Sequence, residues 1–445
     1  MTPEHLESNP KSGMLETLFR LNKAGTSVRT ELLAGLATFL TMAYITIVNP
    51  ITLSTEGTGM AFGAVFTATI IAAVVGTLIM GFWANWPVAL APGMGLNAYF
   101  TYTVILTDGY SYQQALTAVL VAGIVFVILS VTPARKYIIN SIPKSMKLGI
   151  GAGIGLFLAI IGLQNAGVIV DNPAVLVGLG DVTSWPVLLA GLGFIIMAVL
   201  DKRRIPGAII IGILVVSAIA WITGAGGASL SGIAGSVPSP EHAFQLDFSV
   251  LATAGFIGIA FAFLFVDFID TAGTLTSVAN LTGRVSDDGE VEDIGRALIA
   301  DSTATVVGAL AGTSNTTSYI ESGAGIKEGG RTGLTAVTVA VLFGACLFFA
   351  PLAQSVPAFA TAPALVFIAT YFVRNIKDID WDDVSEYAPA VLAAIVMPLT
   401  YSIAYGIAIG FIAYVLTKGL SGRRDGLNIG SVGIAIVSVL FFVLR

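Results

Sequence analysis

Gly312-Thr313-Ser314-Asn315-Thr316-Thr317-Ser318-Tyr319-Ile320-Glu321-Ser322-Gly323-Ala324-Gly325 decides how this chain is built. The stretch lies between apolar runs, yet its Ser/Thr/Asn cluster and its glycines favour extended chain and helix starts over a continuous helix. A second stretch, Ala91-Pro92-Gly93-Met94-Gly95-Leu96-Asn97-Ala98-Tyr99-Phe100, shares that character, and Pro92 removes a backbone donor besides. Each reads as extended chain followed by a half-helix that starts inside the membrane. Their unpaired N–H groups and positive dipole ends would face each other at the midplane, where irregular backbone survives only if it lines a cavity.

The membrane follows from what surrounds the two stretches. Hydrophobic residues make up 56% of the 445 positions and charged residues 11%, against roughly 25% charged in an average soluble domain. Apolar runs of the length needed to cross about 30 Å of hydrocarbon recur along the chain, so it reads as an all-α polytopic membrane protein. A β-barrel is excluded because barrel strands alternate apolar and polar residues in short segments. Spanning segments are expected near 30–48, 62–82, 87–106, 112–131, 144–168, 184–200, 205–223, 250–278, 294–311, 314–327, 332–351, 357–373, 387–398 and 402–418, with a further apolar stretch at 427–444 that either crosses or lies along the interface. Segments three and ten are the two interrupted ones.

Loop charge sets an orientation. Arg135, Lys136, Lys144 and Lys147 follow segment four, and Lys202, Arg203 and Arg204 follow segment six, on the same side as the basic amino terminus. That side is cytoplasmic by the positive-inside rule, and Lys327, Arg331, Arg374 and Lys377 agree. Splitting 387–418 at Met397-Pro398 returns Lys418, Arg423 and Arg424 to the same side. The polar first 28 residues contain no short apolar core, so no cleavable signal peptide is expected.

Ala72-Ala73-Val74-Val75-Gly76 in segment two resembles Ala304-Thr305-Val306-Val307-Gly308 in segment nine. Fourteen segments then divide into two sevens, and an odd number makes the second copy inverted. Inverted repeats characterise secondary transporters that bind substrate at the midplane between the copies.

Asp267, Asp270, Asp301 and Glu321 sit inside these apolar segments. Each costs about 2.5–3.5 kcal/mol at a helix centre on the insertion scale, so a pathway for a polar solute, ion or proton is the default reading. Asp267 and Asp270 stand at i and i+3 on one helix face, with Thr274 a turn further; one of them pairing with a neighbouring helix is the plain alternative. Glu321 follows Ser318 by three residues, so a capping box competes with a place in the site. Asn97 can present its amide to a substrate or cap its own half-helix. Asp301 is placed in conformational coupling, with a helix-to-helix hydrogen bond as likely a use as any direct contact. Tyr99, Phe100, Phe265 and Tyr319 flank these positions as stacking candidates, although a lone membrane aromatic usually packs.

Several classes drop out. Phosphate loops, Cys/His metal clusters, Ser/His/Asp arrangements and a Gly-x-Gly-Asp protease setting are missing, so no enzyme and no metal site is expected. The loop at about 224–249 is too short for a nucleotide-binding domain, and no basic patch suggests nucleic acid. Uphill transport must therefore draw on a gradient. His5 and His242 lie in a tail and a loop, and Cys346 cannot form an internal disulfide.

Thr38-Phe39-Leu40-Thr41-Met42-Ala43-Tyr44-Ile45-Thr46-Ile47-Val48-Asn49-Pro50, the Pro92–Tyr99 stretch, Asp267-Phe268-Ile269-Asp270-Thr271 and the Gly312–Ser322 stretch closely resemble the AzgA-like adenine/guanine/hypoxanthine permease branch of the nucleobase–cation symporter-2 family (NCS2). The likeness runs from about Asn22 to Leu420. It implies a UraA-like fold of 14 transmembrane segments as a 7+7 inverted repeat. It divides the chain into a cytoplasmic tail (1–28), core (29–143, segments 1–4), gate and loop (144–249, segments 5–7), core (250–356, segments 8–11), gate (357–420, segments 12–14) and a C-terminal apolar segment (421–445). It further implies a homodimer whose core moves against the gate like an elevator, substrate binding by Asn97, Asp267 and Glu321, and functional importance for Asp270 and Asp301.

The chemistry suits a purine base, which is flat, neutral and rich in N–H donors and ring acceptors. Proton symport, rather than sodium coupling, is expected because a protonated site carboxylate crosses low dielectric at less cost. No cofactor is expected, and the protein is placed among the lipids of the plasma membrane with its amino terminus inside. A SulP-like anion carrier and a carboxylate-lined cation transporter are the alternatives.

Overall fold

The computed structural model describes residues 13–132, 142–285, 291–423 and 426–443. Arg135, Lys136 and Arg424 of the orientation reading lie outside them. A short helix α1 (Met14–Phe19) leads to α2 (Val28–Met42) and α3 (Ile45–Leu53), which together form segment one with a break at Ala43-Tyr44. Threonine hydroxyls loosen the ladder there: Thr41 donates to the Thr38 carbonyl at 2.7 Å and Thr46 to the Ala43 carbonyl at 2.7 Å. Such back-bonding bends helices.

Segment two is α4 (Phe62–Ile79), and segment three consists of β1 (Leu90–Pro92) and α5 (Met94–Ala98), continued by wide π-type turns over Tyr99–Thr107. The chain proceeds through α6 (Tyr112–Val131), α7 (Lys144–Asn165), the hairpin β2 (Ile169–Asn172) and β3 (Leu176–Leu179), α8 (Trp185–Lys202) and α9 (Ala208–Thr223). The second half has α10 (Ala254–Thr282), α11 (Ile294–Ala311), β4 (Thr316–Ser318), a single 3₁₀ turn Ile320–Ser322, α12 (Gly323–Lys327) and α13 (Gly333–Cys346). It closes with α14 (Ala358–Arg374), α15 (Val384–Thr400), α16 (Ile403–Leu420) and α17 (Ile429–Val443). Among the described residues ten helices are long and apolar enough to cross a membrane, and three shorter apolar ones, Ala208–Thr223, Val384–Thr400 and Ile429–Leu440, accompany them.

Helix α11 packs on α4 and α6, and α13 on α2 and α4, while α7 packs on α14 and α15 and α8 on α14 and α9. Small residues permit the close approach of α7: a Cβ at Gly149 would lie 2.5 Å from the Ala390 carbonyl oxygen, and one at Gly162 would lie 2.8 Å from that of Ala362. Without water between helices, contact of this kind is what drives their association.

The break within 387–418 falls later than the sequence suggests. Pro398 lies inside α15, and the chain turns instead at Tyr401, which is left-handed at φ 51°, and at Ser402, whose hydroxyl accepts from the Tyr405 N–H at 3.4 Å. A proline in a last turn removes one donor, whereas a left-handed residue followed by an N-cap ends one helix and starts another. Lys418, fully buried near the end of α16, pairs with Glu386 at 2.7 Å and Asp383 at 3.6 Å at the start of α15. Helix α17 runs back along α16, with the Phe442 ring 5.9 Å from that of Tyr405.

Candidate functional site

The two interrupted segments meet as a pair of antiparallel strands. Strands β1 and β4 align Leu90 with Ser318, Ala91 with Thr317 and Pro92 with Thr316. Gly93 N–H to Asn315 carbonyl (2.9 Å) and Tyr319 N–H to Ala89 carbonyl (3.0 Å) extend the pairing at both ends. Proline is tolerated at Pro92 because a two-stranded ribbon has outward-facing positions that need no donor. Helix α4 supports the pair from behind: the Thr77 hydroxyl accepts from Leu90 N–H at 2.9 Å and donates to its carbonyl at 3.1 Å.

Four acidic side chains gather around this ribbon in two kinds of environment. Asp267 in α10 is 1% exposed, and its Oδ2 accepts from the Asn315 amide at 3.0 Å and the Thr305 hydroxyl at 2.8 Å. Its Oδ1 is buried without a protein donor among the described residues, as is Oδ1 of Asn315. Asp301 in α11 takes three donors: Ser318 N–H and hydroxyl at 2.6 Å each, and the Thr271 hydroxyl at 2.7 Å. Thr271 also contacts the Thr317 hydroxyl at 2.9 Å, so α10, α11 and β4 are linked through one hydroxyl. Asp270 and Glu321 keep part of their surface open. The Glu321 carboxylate accepts from the Tyr44 hydroxyl at 2.9 Å. Among the described residues no lysine or arginine forms an ion pair with these four carboxylates.

Asn97 stands in α5, 1% exposed, and its Oδ1 accepts from the Ser314 hydroxyl while its amide lies 3.5 Å from the Pro92 carbonyl. It bridges the two interrupted segments. The flanking aromatics have protein neighbours of their own: Tyr99 and Phe100 against Phe263 with centroids 5.0 and 6.3 Å apart, and Phe265 against Phe411 at 5.7 Å. Tyr319 donates its hydroxyl to the Pro92 carbonyl.

The capping-box alternative for Glu321 does not occur, since both donors of Ser318 go to Asp301 and Ser318 lies in a strand. The helix-to-helix bond envisaged for Asp301 does occur, through Thr271 on α10. Thr271, Thr305 and Asn315 are the partners that the sequence reading did not single out. Thr271 was visible as the i+4 neighbour of Asp267 on the same helix face. Glu31, fully buried in α2, was passed over as well. It accepts from the N–H groups of Arg331 (2.9 Å), Thr332 (3.3 Å) and Thr335 (3.1 Å) and so satisfies the start of α13.

The family and the relatives of the chain make it a membrane permease. The chain belongs to the Permease family whose Xan_ur_permease profile spans residues 29–409, as the resemblance to NCS2 permeases led one to expect. It is 40% identical over 446 residues to the adenine permease AdeP of Escherichia coli (strain K12), covering 100% of this chain and 98% of that one. It is 42% identical over 437 residues to the guanine/hypoxanthine permease PbuO of Bacillus subtilis (strain 168), covering 96% and 99%. Among solved structures, the transmembrane domain of the cyanobacterial bicarbonate transporter BicA superposes with a TM-score of 0.65 at 16% identity, covering 87% of this chain and 97% of that one. The murine anion transporter Slc26a9 superposes with a TM-score of 0.63 at 11% identity, covering 94% and 74%. These last two show the fold. The protein is a multi-pass membrane transporter and not an enzyme.

Proposed function

We propose that the chain is a secondary active transporter that imports purine nucleobases (adenine, guanine, hypoxanthine) by proton symport. One observation carries the reading: acceptors from α10 and segment ten, Asp267 and Glu321, stand beside the paired strands that bring Asn97 to Ser314, in a chain whose relatives are named adenine and guanine/hypoxanthine permeases. The carboxylates accept from base N–H groups, and Asn97 with the N–H groups of the two short helices supplies donors. Asp270 and Asp301 serve coupling and conformational change. Tyr99, Phe100, Phe265 and Tyr319 supply apolar walls and candidate stacking faces for the base.

The packing pairs support a core of segments 1–4 and 8–11 and a gate of 5–7 and 12–14, moving as an elevator in a homodimer within the plasma membrane, amino terminus inside. The ten long helices, the shorter Ala208–Thr223 and Val384–Thr400 and the two interrupted segments support fourteen segments in a 7+7 inverted repeat, with segments three and ten as half-helices and Ile429–Leu440 outside the repeat. A fixed carboxylate at Glu321, beside N–H groups that an anion would need, disfavours an anion as cargo.

Uptake of labelled nucleobases by a purine-transport-deficient host, with and without a protonophore, tests the proposal. Uptake of one of these purines that collapses with the protonophore is expected. Absence of uptake, or metal-dependent currents indifferent to purines, overturns it; sodium-dependent uptake that survives the protonophore overturns the coupling ion.

A further inference from the structure

Glu321 differs from the buried aspartates in how it is held. Asp267 and Asp301 receive two and three donors from Thr271, Thr305, Asn315 and Ser318, all within α10, α11 and segment ten. Besides its own main-chain N–H, the Glu321 carboxylate receives one described donor, and that donor belongs to the other half of the chain, the break between α2 and α3. A glutamate side chain has three torsions, the last of them broad and nearly two-fold. Standing partly open on a one-turn 3₁₀ segment, it has only its own main-chain N–H besides to fix its carboxylate plane.

Tyr44 is suited to fix it. Its side chain has two torsions and is 1% exposed, with its ring packed in the main apolar cluster, so its hydroxyl has a set position. We infer that Tyr44 is a positioning residue that orients Glu321, leaving the second carboxylate oxygen to accept an N–H of the transported base. The inference deepens the purine reading and rests on it.

A buried tyrosine hydroxyl needs an acceptor wherever it lies, so the bond could serve the tyrosine alone. The break itself offers acceptors, however, because Thr41 and Thr46 both use main-chain carbonyls there. Tyr44 directs its donor instead to an acidic side chain 277 positions along the chain that keeps open surface. A donor to one oxygen of a carboxylate sets the direction of the other, and directional placement of an acceptor is what a flat ligand requires.

Tyr44→Phe keeps the ring and removes the donor. In whole-cell uptake and in purified full-length protein, it should raise KM for the transported purine about tenfold, with Vmax per folded transporter and the thermal midpoint close to wild type. Replacement of Tyr44 by 3-fluorotyrosine, which keeps ring and donor, should retain the wild-type KM. An unchanged KM in Tyr44→Phe, a loss confined to Vmax and thermal midpoint, or a raised KM with 3-fluorotyrosine overturns the inference while wild-type purine uptake stands. No purine uptake by the wild type overturns the purine reading, and this inference with it.

Discussion

Asp301 accepts both the main-chain N–H and the hydroxyl of Ser318, each at 2.6 Å. A single carboxylate on α11 thereby fixes the last residue of β4, and through Thr271 it also reaches α10 at 2.7 Å. The Ser318 N–H can only donate, and both hydroxyls turn their protons to the same carboxylate, so the position needs an acceptor. Asp301→Leu removes that acceptor in a fully buried place. Leaving buried donors unpaired should destabilise the protein by about 2–4 kcal/mol. The expected outcome is a lowered thermal midpoint together with lost uptake; a wild-type midpoint would refute the arrangement.

Asp267→Asn and Glu321→Gln change acceptors that the proposed substrate uses while leaving volume intact. Uptake should fall at least about tenfold, since one lost charged hydrogen bond is worth roughly 1.5–3 kcal/mol. Protein amount in the membrane and elution as a single folded species should be retained. Normal uptake by either variant would contradict its assignment to the base.

A Cβ at Gly333 would stand 1.9 Å from the main-chain oxygen of Gly81. Neither backbone can yield cheaply where α13 starts, so Gly333→Ala should cost at least about 3 kcal/mol, the upper end of ordinary overpacking. At Gly151 on α7 an added Cβ meets nothing within 4 Å. Gly151→Ala should instead be neutral or stabilise by up to about 1 kcal/mol, because alanine is the better helix former. Thermal unfolding of the two purified variants compares them directly.

His242 gives the loop after α9 a pH dependence. It is 6% exposed, and its Nε2 accepts from the Ala61 N–H at 2.8 Å, so the neutral imidazole is the bound form. Burial pushes its pKa below the usual 6.5, with nearby Glu241 opposing; the Tyr112 ring lies 4.9 Å away. The undocked loop therefore binds protons more readily than the docked one. Docking is at full strength above the undocked pKa and weakens as pH falls from about 6.5 through the lower docked value. The protection factor of the Ala61 amide, measured against the intrinsic exchange rate at each pH, should fall on acidification, and His242→Gln should remove that dependence.

Among the described residues, the ten apolar helices long enough to cross a membrane, the strand breaks at Leu90–Pro92 and Thr316–Ser318 and the acidic residues were legible in the sequence, because hydropathy and helix-breaking composition are local properties. Asp267 and Asp301 were legible too, as charges that a lipid environment penalises. What Ser318 does was not, because its choice between capping Glu321 and donating to Asp301 depends on a carboxylate from another helix. The end of α15 was misplaced for a similar reason. Pro398 is the obvious breaker, yet the left-handed Tyr401 and the cap at Ser402 decide the turn. Glu31 stayed hidden because it sits near a segment end, where a charge looks ordinary, although it is fully buried against the start of α13.

The ribbon of β1 and β4 also has a consequence for biogenesis. Asn97 and Ser314 are 217 residues apart in sequence, and Ala89 and Ser322 are 233 apart. Closing so long a loop carries an entropic cost that must be met before the contact repays it, which makes such pairings slow. During synthesis the first half of the chain must wait in the bilayer with Leu90–Pro92 unpaired until residues past 318 have been inserted. Truncation before β4 should therefore yield a product cleared by proteolysis instead of a half-active carrier.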